Sequence, residues 1–107
     1  MTRMPDIEAL NHALRSADWP LAERLLRQLL ALQPRDPGIH YNLGLVLWRR
    51  GDLKGAEAML RATLGLSADH QNARFELASL LMEHGGLVEA IRLLDDYVTA
   101  VPRDGDG

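Results

Sequence analysis

The stretch DPGIHYNLGLVLWRRGDLKGAEAMLRATL, residues 36–64, decides the fold. Asp36 can cap a helix with its carboxylate, and Pro37 suits the first helical position because it has no N–H to leave unpaired. Tyr41, Leu43, Leu45, Val46, Leu47 and Trp48 supply the apolar side chains of that helix. Gly51 can take the positive φ that ends it. Asp52 then caps a second helix, in which Leu53, Ala56, Met59, Leu60 and Leu64 recur at helical spacing. The segment reads as two helices joined by a tight turn.

The same pattern recurs on both sides. Pro34, Ala68 and Pro102 are each 34 residues apart, as are Ala22, Ala56 and Ala90, Trp19, Leu53 and Leu87, and Leu26, Leu60 and Leu94. The turns Ala17-Asp18, Gly51-Asp52 and Gly85-Gly86 keep step without an insertion. The chain therefore divides into units 3–36, 37–70 and 71–104, forming one domain, with 105–107 as a disordered tail. The first unit opens at Pro5 and the third stops before Pro102, while Pro20 falls harmlessly in the first turn of its helix. Gly44, Ala78 and the three alanines put small side chains where paired helices cross closely. Leu10 breaks that rule, so either the first pair packs loosely or Leu10 faces outward.

A 34-residue helix–turn–helix period resembles the tetratricopeptide repeat. Tyr41-Asn42-Leu43-Gly44, Gly51-Asp52-Leu53 and Ala56-x3-Leu60 match the family's signature in order. Leu77-Ala78, Leu81, Ala90, Leu94 and Pro102 repeat it; the first unit keeps Ala22, Leu26 and Pro34 but has Ala9-Leu10 and Ala13 at other signature positions. The resemblance implies an all-α, right-handed superhelical solenoid of three repeats and six antiparallel helices. It implies that the first helices of the units line a concave groove. On that face stand Met4, Ile7, Glu8, Asn11, Leu14 and Arg15, then Tyr41, Asn42, Leu45, Trp48 and Arg49, then Asn72, Phe75, Glu76, Ser79, Met82 and Glu83. Tyr41, Trp48 and Phe75 are the candidate anchors, because rigid aromatics concentrate binding energy. Packing between first helices is their competing role. Trp19 falls at a turn and Tyr97 on a second helix, both structural positions.

Some members of the family bind a peptide's terminal carboxylate through lysine, arginine and asparagine. Asn11 and Asn42 agree with that set, but Ile7, Asn72 and Glu76 stand where basic residues are expected. The resemblance therefore implies no chaperone-tail recognition of that kind.

Composition excludes much else. Without cysteine there is no disulfide framework, thiolate metal site or cysteine nucleophile. Few aromatics, at 5%, favour helices over a strand-rich core. A net charge of −3 argues against nucleic acid as the partner. No apolar run fits a signal peptide or a membrane span, so the expectation is a cytoplasmic protein that contacts no membrane. His12, His40, His70 and His84 share no repeat position, and Ser16, Ser67 and Ser79 lack a nucleophile's context. No metal, cofactor or catalytic site is expected.

Charge drifts along the chain, from nine basic and eight acidic residues in 1–70 to three basic and seven acidic in 71–107. The glycine- and aspartate-rich end cannot form a capping helix. Ile91, Leu94, Val98 and Val101 are therefore expected as a partly exposed strip, and weak homodimerisation through the last helix follows as an expectation. The expected function is a non-enzymatic scaffold or adaptor that holds a peptide or helical segment of a partner protein in its groove. The alternatives are a self-associating structural subunit and a small client-specific, secretion-type chaperone.

Overall fold

The computed structural model describes residues 7–100, with side chains through Asp95. Six helices follow in order: α1 (Ile7–Arg15), α2 (Trp19–Leu32), α3 (Pro37–Arg49), α4 (Leu53–Leu66), α5 (Gln71–Glu83) and α6 (Leu87–Ala100). No strand occurs among the described residues. Met4 and the outer ends of the first and third units lie outside them, as do the side chains of Tyr97, Val98 and Val101.

The helix starts are set by side-chain caps. Asp18 accepts from the Leu21 N–H at 3.3 Å, and Asp52 accepts from that of Gly55 at 2.9 Å. Asp36 accepts from the Gly38 N–H at 2.8 Å. His70 takes the equivalent place on α5, its Nδ1 accepting from the Ala73 N–H at 3.0 Å. That bond needs a lone pair on Nδ1, so the ring proton sits on Nε2.

The turns within each pair share one geometry. The N–H groups of Asp18, Asp52 and Gly86 donate back to the carbonyls of Ala13, Leu47 and Leu81 at 2.8, 2.9 and 2.7 Å. This is the six-to-one bond of a Schellman ending, which needs a left-handed residue just before its donor. That residue is Ala17 at φ 58°, Gly51 at 84° and Gly85 at 83°.

Each helix packs chiefly on the next in the chain, α1 on α2 through to α5 on α6. Leu26 and Leu60 are fully buried at matching positions, as are Leu43 and Leu77. Ala22, Ala56 and Ala90 have no exposed surface. A Cβ on Gly44 would stand 3.2 Å from Leu60 Cγ and 3.3 Å from Met59 Cβ, so α3 and α4 cross closely there. Leu10 is buried in the core, so it does not face outward. The result is elongated, 52 × 31 × 24 Å, with a radius of gyration of 15.3 Å. A globule of similar length has about 13 Å.

Of the apolar strip expected on the last helix, Ile91 is exposed and Leu94 partly so, while Val98 and Val101 lie outside the residues whose side chains are described. Leu94 is half-buried and packs on the core, because it shares the register of buried Leu26 and Leu60. Among its described residues, α6 also exposes Leu87 and Val88, with Val88 at 73% exposure.

Candidate functional site

A groove of about 700 Å³ crosses the molecule on the side of α1, α3 and α5. Leu14 and Trp19 line one end, and Asn42, Leu45, Val46, Trp48 and Arg49 line the middle. Glu76 and Glu83 of α5 line the other end. The 34-residue period puts equivalent side chains in rows across the three helices. Leu14 and Trp48 share one row, and Arg49 and Glu83 another.

The structure thus brings together Leu14, Asn42, Leu45, Trp48, Arg49, Glu76 and Glu83 from the expected face. Ile7, Asn11, Arg15, Asn72, Phe75 and Met82 are exposed but do not line this groove, and Ser79, half-buried, does not either. The hydroxyl of Ser79 donates to the Phe75 carbonyl of its own helix at 3.0 Å. Phe75 is 49% exposed. Tyr41 is half-buried and also stays outside the lining. Its ring lies 4.8 Å from that of His70, at an interplanar angle of 39°. Burial raises the Tyr41 pKa above its ordinary 10.0, and the nearby Glu76 carboxylate adds to the rise.

Two lining residues were not expected. Trp19 shares its repeat position with Leu53 and Leu87, which reads as packing, and its ring does pack on the core. It also lines the groove, because an indole is larger than the leucines of the other units. Its size at a leucine position was the available signal. Val46 shares its position with His12 and Leu80, and nothing in the spacing marks it.

The charges separate by face. Among the described residues the ion pairs are Arg27–Glu23, Arg50–Glu23, Arg61–Glu57 and Arg61–Glu89. None uses a groove residue. Arg50 and Glu89 reach across units to do this, at 2.9 and 2.6 Å. Arg27 holds the Glu23 carboxyl below its ordinary pKa, with help from Arg50. Arg61 does the same for Glu89. Arg49, Glu76 and Glu83 have no ion-pair partner among the described residues. Among the described residues no group of three or more His, Asp or Glu is placed to hold a metal ion. No described helix is long and apolar enough to cross a membrane.

Solved structures with the same fold are well represented. The yeast Sti1 TPR2B domain, solved as a complex with pHsp70, superposes with a TM-score of 0.80 at 17% identity, covering 86% of this chain and 74% of that one. A mutant of MamA gives 0.79 at 18% identity, covering 88% and 69%. A mutant O-GlcNAc transferase of Thermobaculum terrenum gives 0.79 at 23% identity, covering 91% of this chain but 19% of that one. At such identities the likeness is one of fold. No curated protein matches the chain in sequence. Two family models do match, both of the tetratricopeptide repeat, over residues 7–69 and 47–106. The first alone spans more than half of the sequence, and the chain belongs to the tetratricopeptide repeat family.

Proposed function

We propose that the chain is a binding module that holds a peptide or helical segment of a partner protein in the groove of α1, α3 and α5. The fold is in general that of a protein–protein interaction module. The observation that carries the finer reading is the lining itself. Leu14, Trp19, Leu45 and Trp48 form an apolar patch, bordered by charged residues that have no ion-pair partner among the described residues. Large apolar and aromatic side chains in a preformed concavity supply binding energy, and unpaired rim charges supply orientation. The yeast Sti1 domain was solved as a complex with pHsp70, which supports a protein as the partner. The role is that of a scaffold or adaptor rather than of an enzyme.

Affinity capture from native lysate tests this. Wild type is compared with Trp48→Ala, shown to be folded by circular dichroism, and with Arg24→Ala on exposed α2 as a control. Proteins retained by wild type and the control but lost from Trp48→Ala are the expected result. Identical captures by all three would end the groove reading.

A second reading is weak self-association through α6, favoured by exposed Leu87, Val88 and Ile91. Sedimentation at rising concentration decides it, since a strict monomer removes the idea.

A further inference from the structure

The groove has an apolar end and an acidic end. Leu14, Trp19, Leu45 and Trp48 gather on α1, the start of α2, and α3, while Glu76 and Glu83 stand on α5. The two glutamates are seven residues apart, two turns on one helix face, so their backbone positions differ by about 10 Å. The apolar patch and the carboxylates thus stand on different units, so a segment seated on the patch extends along the groove towards α5.

The lining sets two carboxylates against one guanidinium, and none of the three has an ion-pair partner among the described residues. On the back of the solenoid, by contrast, Glu23, Glu57 and Glu89 are all taken up by arginines. The Glu76 carboxylate also acts on Tyr41, adding to the rise in its pKa that burial chiefly causes. Residues 71–107 as a whole carry seven acidic groups against three basic ones. Arg49 is the single cation of the lining and lies on the apolar patch's own helix. It disfavours a basic residue beside the anchor and so fixes the direction in which a segment lies.

On the reading of the groove as the partner surface, we propose that its occupant is a cationic–apolar segment of another protein. One large apolar side chain enters among Leu14, Trp19, Leu45 and Trp48. Lysine or arginine side chains further along the segment meet Glu76 and Glu83. The long stems of such side chains also cover apolar surface while their charged ends reach the carboxylates. Acidic segments are rejected, since they would place like charges against both glutamates.

The probe is a random peptide library displayed on phage and selected on the whole chain. Groove dependence is judged with Trp48→Ala and with Asn42→Tyr, which fills the groove from an exposed position without changing core or charge. The expected groove-dependent peptides pair a large apolar residue with lysine or arginine. Synthesised, they bind Glu76→Gln/Glu83→Gln roughly three- to tenfold more weakly, the range for two solvent-accessible ion pairs, and weaken further in salt. Groove-dependent peptides rich in aspartate or glutamate, or basic ones indifferent to the double substitution, would overturn the cationic ligand and leave the groove reading standing. A selection with no groove-dependent peptide would overturn both.

Discussion

Ala17 sits at φ 58°, where Gly51 and Gly85 occupy the same place in the other two turns. An L-residue in that region costs about 1–2 kcal/mol. Glycine returns part of this as extra freedom of the unfolded chain, about 0.4–1 kcal/mol. Ala17→Gly is therefore expected to stabilise the protein by about 0.5–1 kcal/mol, and Gly51→Ala to destabilise it by about the same. Urea midpoints at constant slope read both. A lower midpoint for Ala17→Gly would contradict the strain assigned to that turn. The sequence shows that the three turns align, because alanine and glycine keep the period. It also shows Tyr41 on the first-helix face beside Asn42. It does not show that His70, 29 residues later, caps the next helix and lies against the Tyr41 ring. That contact depends on where the start of α5 docks beside α3, which the spacing along each helix leaves open.

Among elements, the backs of α2 and α4 repeat one device. Glu23–Arg27 and Glu57–Arg61 are pairs four residues apart, in the same phase of the period. Such local pairs are legible in a helical sequence. The bridges Arg50–Glu23 and Arg61–Glu89 are not, because they join residues 27 and 28 positions apart. Register within one helix is written in its apolar spacing, as Leu94 shows by turning inward with Leu26 and Leu60. The angle between successive pairs is set by packing at close crossings such as Gly44 on Leu60. The Arg61 bridge has a pH signature. The pKa of Glu89 is lowered from 4.5, first by the hydrogen bond from Arg61. A carboxylate lowered on folding contributes stability above its unfolded value, and that contribution is lost as pH falls through the folded value. Wild type is thus expected to exceed Glu89→Gln slightly at about pH 7 and to converge with it at an acid pH well below 4.5. Denaturant midpoints at the two pH values check this, and an equal gap at both would remove the bridge as a source of stability.

For the whole molecule, packing between successive helices makes stability a matter of neighbours. α3 and α4 are flanked on both sides, whereas α1 and α6 each pack on one helix. Amide exchange is expected to be slowest at Leu43, Val46, Leu47 and Leu60, and faster in α1 and α6 by a steady gradient. Equal protection from end to end would show a single cooperative unit instead. The groove is legible in the sequence to the extent that α1, α3 and α5 share one phase. Which of their outward side chains converge on one concavity depends on the superhelical curvature. Leu14, Leu45 and Trp48 do so, and Ile7 and Phe75 do not. The turn at Ala17, Gly51 and Gly85 carries one more consequence. Since these turns differ in residue but not in phase, the length of this protein comes in whole steps. Splicing a second copy of residues 37–70 after the first would preserve every cap, crossing and back-face pair in frame. The molecule so made would be a longer ruler of the same graduation, its groove extended by one further Trp48 and one further Arg49.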